Sequence, residues 1–365
     1  MKTLVTGGGG FVGSHLVDRL IGDGHEVVVL DNFVTGRPAN LAHLADVSKL
    51  TLFQASLIDP LPDELTAIPF DRVYNLASPA SPRDYGLHPI QTHLVNSLGA
   101  YNVLNLAAAH NARFLQSSTS EVYGDPLVHP QPESYWGNVN SVGPRSCYDE
   151  GKRFAESLTM EYYRQHMLDV RIPRIFNTYG PRNDPRDGRV VPNFCMQALQ
   201  GKPITIYGDG SQTRSFCYVD DLVSGLVLLM ETEGLGGEVV NLGNPIERTI
   251  QEFAEIVVAI SGSNSRIVYE PLPQDDPARR RPDIARAQRL LGWTPKVALE
   301  DGLRRTLEYF APFAHSSPDG LYDVLGKRRG ATSELATPIA RPPARDSDTH
   351  SQAEALPLPM RWRRR

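Results

Sequence analysis

A tyrosine and a lysine four residues apart, Tyr148 and Lys152, are the pair in this sequence best suited to proton chemistry. They lie in residues 148–165, whose pattern predicts a helix, and a spacing of four places both side chains on one helical face. An ammonium group beside a phenol favours the phenolate, although a phenol ordinarily titrates near pH ~10. The pair therefore predicts an acid/base tyrosine that works near neutral pH. Because such pairs also arise by chance, the interpretation depends on the rest of the chain.

The chain opens with the elements of a dinucleotide-binding loop. Residues 1–6 predict a buried parallel strand and residues 11–21 a helix. Of the glycines between them and in the first helical turn, Gly7, Gly10 and Gly13 are the ones expected to shape the loop. They allow a tight turn and the approach of a pyrophosphate to the helix N-terminus. A second strand, residues 26–30, leads to Asp31, which would accept hydrogen bonds from the adenosine ribose and repel a 2′-phosphate. This order predicts NAD, while Arg37 nearby keeps NADP open.

Composition and charge exclude several functional classes. A chain of 365 residues can bury a large core in one or two domains. The formal net charge of -5 argues against nucleic acid as a partner. The cysteines (Cys147, Cys195 and Cys217) show neither metal-ligand spacing nor a disulfide framework, and the histidines form no ligand motif, so we expect no metal. With no signal peptide and no apolar run long enough to span a bilayer, we expect a cytoplasmic protein without membrane contacts.

Short apolar segments alternate with longer amphipathic ones along the first half of the chain. The predicted strands are residues 50–54, 72–76, 113–116 and 170–175, and the predicted helices are residues 90–109 and 148–165. This alternation predicts an α/β fold with a Rossmann-type, doubly wound parallel sheet. Ligands of such sheets bind at the carboxyl ends of the strands. The residues expected there are Gly7, Asp31, residues 77–78, residues 117–119 and Asn177.

The sequence pattern changes after about Phe176. Residues 180–188 predict a long polar loop, residues 204–215 a short strand and turn, residues 220–230 a helix, residues 239–243 a strand, and residues 267–309 a strand, an Arg-rich loop and two short helices. We interpret this region as a smaller domain with some elements that return to the first sheet. The expected division is an NAD-binding domain at 1–176, a nucleotide-sugar-binding domain at 177–314, and a disordered Pro/Arg-rich tail at 315–365.

Several sequence blocks resemble the extended short-chain dehydrogenase/reductases, and within their nucleotide-sugar branch the UDP-glucuronate decarboxylases. The blocks are LASPASP at 76–82, STSEVYG at 118–124, GPRSCYDEGK at 143–152, RIFNTYGPR at 174–182, DDP at 275–277 and RRPD at 280–283. The resemblance extends from residue 1 to about residue 313. Such long blocks are far more specific than a glycine motif or a tyrosine–lysine pair alone.

The resemblance implies a mechanism and a set of catalytic residues. Tyr148 would take the proton of the sugar C4 hydroxyl while a hydride passes from C4 to NAD, and Lys152 would lower the tyrosine pKa and hold the nicotinamide ribose. Thr119 would hydrogen-bond the reacting hydroxyl. Carbon dioxide would then leave the 4-keto sugar, with Glu121 and Arg280 orienting the carboxylate and supporting reprotonation at C5. Return of the hydride would yield UDP-xylose and regenerate NAD within one turnover.

The resemblance also implies binding residues for cofactor and substrate. The implied cofactor-binding residues are Gly7, Gly10, Phe11, Val12, Gly13, Asp31, Asn32, Phe33, Thr35, Gly36, Ser56, Leu57, Leu76, Ala77, Ser78, Tyr148 and Lys152. The implied UDP-sugar-binding residues are Ser78, Asn177, Arg189, Val191, Asn193, Tyr207, Arg214 and Arg280. An anionic nucleotide sugar requires such cationic and amide partners.

Four positions depart from the family pattern. Where the family reads Pro-Ile-Lys-Thr-x-Lys-Thr-Asn, this chain has PIQTHLVN at 89–96, so Gln91 and Leu94 replace two lysines, the second of which lies near the substrate in the family. Ser56 replaces an acidic residue near the adenine, and Pro62 replaces a tyrosine near the substrate. Loss of one charge-assisted contact costs about 1.5–3 kcal/mol. We therefore expect weaker affinity for the glucuronate carboxylate, or a somewhat different substrate.

Two alternatives of different class accompany the decarboxylase interpretation. A 4-epimerase or a 4,6-dehydratase would share the NAD loop and the Tyr/Lys pair, but 4,6-dehydratases tend to carry Asp-Glu where this chain has Ser120-Glu121. A non-catalytic NAD-binding regulator is disfavoured because Thr119, Tyr148 and Lys152 are all present. Because extended family members are commonly dimers, we also expect a homodimer in which residues 90–109 and 148–165 form a four-helix interface.

Overall fold

The structure, a computed structural model, describes residues 1–271 and 279–315 of the chain. The strands are β1 (Lys2–Thr6), β2 (Glu26–Asp31), β3 (Leu50–Gln54), β4 (Arg72–Asn75), β5 (Arg113–Gln116), β6 (Ser118–Thr119), β7 (Val170–Ile175), β8 (Thr178–Tyr179), β9 (Ile204–Tyr207), β10 (Thr213–Ser215), β11 (Cys217–Tyr218), β12 (Glu238–Leu242), β13 (Glu247–Thr249), β14 (Ile267–Glu270) and β15 (Arg279–Arg280). The predicted strands and helices are therefore present, most with ends within two residues of the expectation.

The helices cover the sheet and build much of the C-terminal region. They are α1 (Phe11–Gly22), α2 (Asp63–Thr66), α3 (Pro82–Leu87), α4 (Pro89–Leu94), α5 (Ala100–Ala109), α6 (Ser146–His166), α7 (Val190–Leu199), α8 (Val219–Glu231), α9 (Ile250–Ser261), α10 (Ala285–Leu291) and α11 (Leu299–Phe310). Single 3₁₀ turns span Pro38–Leu44, Ser120–Tyr123 and Ala311–Phe313, and a π turn at Val95–Gly99 joins α4 to α5. None of the described helices has both the length and the apolar composition needed to cross a membrane.

Eight strands form one parallel sheet, which confirms the predicted doubly wound α/β fold. The strand order is β12-β7-β5-β4-β1-β2-β3, and β6 continues the sheet beside β7. Thr6, at the end of β1, lies opposite Leu30 of β2 and Asn75 of β4. The carboxyl ends of the three strands are thus level, and the loops that follow them meet at one edge of the sheet.

Helices cover both faces of this sheet. Neighbouring residues of a strand point to opposite faces, and in β1 the fully buried Leu4 and Val5 belong to two different core clusters. Val5 packs with Leu16 of α1 and Leu226 of α8, whereas Leu4 packs with Val103 of α5. Burial on both faces explains why the apolar residues Leu4 and Val5 are consecutive instead of alternating with polar ones.

The C-terminal region contains smaller sheets and returns one strand to the large sheet. In the smaller sheets β10 lies between β13 and β15, β8 pairs with β11, and β9 pairs with β14. Strand β12 pairs in parallel with β7, as predicted for elements that return. The described residues belong to one compact unit, and the boundary near residue 176 stays a prediction. The predicted tail lies outside the described residues apart from His315.

The helix predicted at 90–109 is interrupted. The π turn at Val95–Gly99 buries Asn96, whose Nδ2 donates to Ser78 Oγ (2.9 Å) and to Thr92 O (2.8 Å). An added Cβ on Gly151 of α6 would lie 3.2 Å from Asn96 Cβ, so the two helical segments approach closely here. Apolar periodicity does not reveal a single π turn, because one extra residue barely changes the pattern.

Candidate active site

The glycine loop after β1 is shaped by close backbone contacts that exclude side chains. An added Cβ on Gly13 would lie 2.1 Å from Gly7 O, and one on Gly7 would lie 2.9 Å from Ala77 Cα. Gly7 also has a φ of 71°, which favours glycine. These contacts let α1 begin directly against the loop, so that its N-terminal N–H groups face the edge of the sheet where a pyrophosphate can bind.

Asp31 stands at the end of β2 as a buried acceptor. Its Oδ2 accepts a hydrogen bond from Gly9 N (2.8 Å) and its Oδ1 one from Phe33 N (2.8 Å). Burial raises the pKa of this carboxyl, and the two backbone hydrogen bonds oppose the rise. An added Cβ on Gly36 would lie 2.9 Å from Asp31 Oδ2. The loop and the acidic residue therefore fit the adenosine half of NAD.

Arg37 has a structural partner that the sequence did not reveal. Its side chain is buried, and Nη2 donates to the carbonyls of Arg182 and Asn183 in the loop before α7. The guanidinium therefore joins that loop to the cofactor region and does not stand at the surface as a ligand for a 2′-phosphate. This placement removes the reason for considering NADP.

The predicted catalytic tyrosine, lysine and threonine lie together at the end of β6 and the start of α6. The hydroxyl of Tyr148 is hydrogen-bonded with Thr119. Lys152 Nζ donates to Ser117 O (3.0 Å) and Ser117 Oγ (3.3 Å), and it lies 5.9 Å from the centroid of the Tyr148 ring. The ring of Tyr85 in α3 stacks on Tyr148 at 5.3 Å between centroids. The spacing rule thus placed the pair correctly on one helical face.

The spacing predicted that Lys152 would lower the pKa of Tyr148, but the structure shows the opposite direction. Burial raises the pKa of Tyr148 to about 12, and the hydrogen bond with Thr119 only partly opposes it. Burial also lowers the pKa of Lys152 to about 7. The reason is that both groups are buried with neutral hydrogen-bond partners, so that desolvation outweighs the attraction between them.

Glu121 is held between two arginines. Arg145 Nη2 donates to Glu121 Oε2 at 2.6 Å, and Arg280 Nη2 donates to the same oxygen at 3.0 Å, while Arg280 Nη1 donates to Oε1. Burial alone would raise the pKa of Glu121, but the two guanidinium groups lower it to about 2. Glu121 is therefore ionised at neutral pH.

Asp149, next to the catalytic tyrosine, is the titratable carboxyl of this site. Burial first, and then the charge of Glu121, raise its pKa to about 7. Its Oδ1 is buried and has no hydrogen-bond partner within the described residues. The site thus combines one carboxylate held in its ionised form with one carboxyl that is half protonated near neutral pH.

The predicted substrate-binding residues follow β7 and lie around α7 and the small sheet. Asn177 O accepts from Cys217 N (2.9 Å), and Asn193 Nδ2 donates to Gly188 O (2.9 Å). Arg189 precedes α7 and pairs with Asp187, at 2.6 Å from Nε to Oδ1. Of the other five, Val191 is buried in α7, Tyr207 is 44% exposed at the end of β9, and Arg214 and Arg280 are register partners in β10 and β15. Ser78 lies apart from these, after β4, where its Oγ accepts from Asn96 Nδ2.

Sequence reasoning missed several residues that support the site. They are Arg145, Tyr85, Asn96 and Asp187, whereas Ser117 was expected at the strand ends but without its contact to Lys152. Arg145 and Ser117 were visible as neighbours of the catalytic blocks, three residues before Tyr148 and two before Thr119. Tyr85 and Asn96 carry no local signal, because their contacts depend on how α3 and the π turn pack against α6.

The departures from the family pattern lie outside the charge cluster around Glu121. Leu94 ends α4 and is 38% exposed, and Pro62 precedes α2. Ser56 Oγ accepts from Ile58 N at 3.4 Å. In the part of the chain that the structure describes, no group of three or more His, Cys, Asp or Glu side chains could hold a metal ion.

Comparison with known proteins identifies the family. The NAD dependent epimerase/dehydratase family matches residues 3–243. A curated relative, UDP-glucuronic acid decarboxylase 1 of Danio rerio, is 54% identical over 310 residues, which are 85% of this chain and 72% of that protein. UDP-glucuronic acid decarboxylase 1 of Arabidopsis thaliana is 53% identical over 310 residues, with 85% and 70% covered.

Solved structures of related enzymes share the fold over the whole described chain. UDP-glucose 4-epimerase of Thermotoga maritima superposes with a TM-score of 0.78 at 32% identity, covering 86% of this chain and 99% of that one. DesIV, a dTDP-glucose 4,6-dehydratase of Streptomyces venezuelae solved with NAD, gives 0.77 at 29% identity, covering 86% and 97%. The resemblance to the extended short-chain dehydrogenase/reductases is thus confirmed, and the chain belongs to the NAD dependent epimerase/dehydratase family.

Proposed function

We propose that this protein decarboxylates UDP-glucuronate to UDP-xylose with NAD as its cofactor. The observation that carries the proposal is the placement of Glu121 between Arg145 and Arg280, close to the Tyr148 and Thr119 pair. It places guanidinium groups, which suit a uronate carboxylate, next to a tyrosine proposed to take the hydroxyl proton. The identity of 50–54% to curated UDP-glucuronic acid decarboxylases supports the same reaction.

The oxidation of C4 requires a residue that accepts the hydroxyl proton. Tyr148 is in place for this role, and Thr119 holds the reacting hydroxyl and the phenol in one hydrogen-bonded row. NAD, when bound, would supply the hydride acceptor for the oxidation at C4 and the hydride for its later reduction. Lys152 is fixed by Ser117 O and Oγ, where its ammonium group would support the nicotinamide ribose.

Decarboxylation follows from the position of the new ketone. A C4 ketone is β to the C6 carboxylate, so loss of carbon dioxide leaves the electron pair in an enolate between C4 and C5, which then takes a proton at C5. Arg280 orients the carboxylate, and Glu121 fixes Arg280. Because its pKa is about 2, Glu121 is not the source of that proton.

We also propose where the UDP part binds. Asn177 lies between β7 and β8, Arg189 and Asn193 lie at the start of α7, and Arg214 lies beside Arg280 in the small sheet. The remaining proposed contacts are Ser78, Val191 and Tyr207. Arginine guanidinium groups suit the diphosphate, and asparagine amides suit the uracil and the sugar hydroxyls.

The test is incubation of the full-length protein with UDP-glucuronate and NAD, with the nucleotide sugar followed by mass spectrometry and NMR. We expect loss of carbon dioxide and a xylo-configured product, with no net NADH. The Tyr148→Phe variant is the control, since it retains the fold and the cofactor site. Unchanged UDP-glucuronate in the presence of bound NAD would refute the proposed function and favour a 4-epimerase or 4,6-dehydratase.

We also propose that the protein forms a homodimer. The outer face of α4, the π turn, α5 and α6 exposes an apolar stripe of Ile90, Leu94, Leu98, Tyr101 and Phe154. A second copy of the chain would bury these side chains in a four-helix interface. Light scattering at assay concentration tests this arrangement, and Tyr101→Glu should shift the protein towards monomer.

We place the protein in the cytoplasm. All three cysteines are free and buried, as is typical of proteins from a reducing compartment. Fractionation of cells that express the untagged protein would test this location, and recovery outside the cytoplasmic fraction would contradict it.

A further inference from the structure

Arg37 is a buried arginine that contacts two loops of the candidate active site at once. The residue is 2% exposed, and an arginine is rarely buried so deeply without partners. Its backbone N donates to Gly9 O at 2.9 Å, in the glycine loop after β1. Its Nη2 donates to Arg182 O and, at 3.4 Å, to Asn183 O, in the loop before α7. One residue therefore connects the glycine loop to the loop of residues 180–189.

On the cofactor side, further hydrogen bonds fasten the segment of residues 31–40 to the glycine loop. Gly9 N donates to Asp31 Oδ2 at 2.8 Å. Asn40 Nδ2 donates to Gly9 O at 2.9 Å, which is the same oxygen that accepts from Arg37 N. The residues between Asp31 and Arg37 are those expected around the adenosine half of NAD. This segment therefore has to stay against Gly9 for the cofactor site to keep its shape.

On the substrate side, short contacts continue from the carbonyls held by Arg37 to the start of α7. Asp184 N donates to Asn183 Oδ1 (2.9 Å), and Asp187 N donates to Asp184 O (3.0 Å). The carboxylate of Asp187 pairs with Arg189, at 2.6 Å from Nε to Oδ1. Arg189 in turn lies near enough to Tyr148 for its charge to interact with the phenol. The loop thus connects Arg37 to the proposed substrate site.

We propose that Arg37 is a positioning residue that couples the two sites, so that a UDP-sugar bound at the start of α7 slows the release of NAD. A UDP group on Arg189 and Asn193 would hold residues 180–189 in place. Those residues would keep Arg37 against Gly9, because withdrawal of the guanidinium from its two carbonyls would leave a buried cation without acceptors. Its Nη1 is already buried without a hydrogen-bond partner within the described residues.

The proposed reaction gives this coupling a purpose. The hydride taken from C4 has to return to the same sugar, so NADH has to stay bound until the 4-keto group is reduced. Early release would free NADH together with a 4-keto sugar and leave the enzyme without its cofactor. This purpose rests on the proposed function, whereas the coupling itself requires only that NAD and the UDP group both bind.

Exchange of bound NAD measures the coupling on the intact holoenzyme. Full-length protein loaded with radiolabelled NAD is mixed with excess unlabelled NAD, with or without saturating UDP, and the label that stays bound is followed by rapid gel filtration. UDP is the probe because it has no sugar that could react. We expect UDP to slow exchange from the wild-type protein by about fivefold or more, as for coupling between two sites of one protein.

Substitutions of Arg37 test whether this residue carries the coupling. In Arg37→Met, which lacks the guanidinium, the rates with and without UDP should agree within about twofold. Arg37→Lys keeps the buried positive charge without the planar fork, so UDP should slow exchange less than in the wild type. It is the second variant in case Arg37→Met does not fold. Full wild-type slowing in either folded variant would overturn the proposal.

Arg83→Gln is the matched control, because Arg83 contacts the same loop from α3. Its Nη1 donates to Arg186 O at 2.6 Å. If the coupling runs through Arg37, UDP should slow exchange from Arg83→Gln as much as from the wild type. An equal loss of slowing in Arg83→Gln and Arg37→Met would show that any damage to the loop removes the effect, and would refute a specific role of Arg37.

Two further measurements separate failure of this inference from failure of the proposed function. If calorimetry shows that UDP binds the wild-type holoenzyme and exchange is not slowed, the coupling is refuted and the decarboxylase proposal is unaffected. If exchange is slowed but UDP-glucuronate stays unchanged, the proposed function is refuted and the role of Arg37 is supported. If both proposals hold, Arg37→Met should release NADH during turnover of UDP-glucuronate and the wild type should not.

Discussion

Burial is accompanied by opposite charge states in two parts of the candidate active site, the Tyr148–Lys152 pair and the Glu121 cluster. Tyr148 and Lys152 are buried among neutral hydrogen-bond partners, and burial shifts both towards their uncharged forms, with pKa values of about 12 and about 7. Nearby in the fold, Glu121 is also largely buried, but its pKa is about 2 because two arginines contact it. The same desolvation therefore gives neutral groups on one side and a fixed charge on the other.

This difference matches the two tasks of the proposed reaction. A residue that must take up and return a proton has to be able to change its charge, and neutral surroundings allow it to do so. A residue that must hold a carboxylate in one place should not titrate in the working range, and close counter-charges ensure this. The partners of each buried group, rather than its depth, thus set its role.

The largest expected effect is a loss of turnover when Tyr148, which has neutral hydrogen-bond partners, is changed. Tyr148→Phe removes the proton acceptor while keeping the ring that stacks on Tyr85, so turnover should fall by about 10²- to 10⁴-fold or more. NAD binding should be unchanged. Single-turnover assays with UDP-glucuronate and fluorescence titration of cofactor measure both, and substantial activity in this variant would contradict the acid/base role.

On the charged side, the expected effect is on stability. Glu121→Gln leaves two buried guanidinium groups without their carboxylate, and removing one member of a buried ion pair costs about 3–5 kcal/mol. Glu161→Gln, in an exposed pair with Arg164, should cost at most about 0.5 kcal/mol. Urea unfolding of both variants makes the comparison, and a similar loss in each would show that Glu121 is not held as described.

The two sides should also respond to pH in different windows. The pKa of Glu121 is lower in the folded chain than in the unfolded one, so its contribution to stability is present above pH 4.5 and is lost as the pH falls towards 2. The pKa of Lys152 is also lowered, from 10.5 to about 7, so the unfolded chain binds more protons between these values and stability rises with pH there.

The Lys152→Met variant tests the pH dependence of stability between about pH 7 and 10.5. The free energy of unfolding of the wild type, measured by urea titration at pH 7 to 10, should rise more steeply with pH than that of the variant, because methionine binds no proton. The two curves should converge as the pH approaches 10.5. Parallel curves would mean that Lys152 keeps its ordinary pKa in the folded protein.

Sequence patterns predicted the frame of this site better than its electrostatics. The bounds of β3, β5 and β7 coincide with the predicted segments, in which apolar residues are enriched. The glycine loop and the Tyr148–Lys152 spacing are equally local. The direction of the Tyr148 shift, by contrast, depends on partners brought in by β6 and α3, which are distant in the sequence.

Arg145, the second arginine that contacts Glu121, shows the same limit of prediction from sequence. Arg145 stands in a sequence block that was already recognised, yet its role depends on the turn after β6 being folded beside the start of α6. The π turn that buries Asn96 is likewise a consequence of packing against Gly151. Local rules place residues on elements, whereas tertiary contacts decide which charges meet.

The smallest expected effect concerns Tyr85, which lies between the two sides. Its ring stacks on Tyr148, and burial raises the pKa of its hydroxyl, which has no hydrogen-bond partner within the described residues. Tyr85→Phe keeps the stacking and removes a buried polar atom, so stability should stay the same or rise by up to about 1 kcal/mol. If the hydroxyl contacts neither the sugar nor Tyr148, then KM for UDP-glucuronate and the rate of turnover should both stay within about twofold. A rise in KM at unchanged stability would instead assign the Tyr85 hydroxyl to the substrate, and a fall in turnover at unchanged KM would assign it to Tyr148.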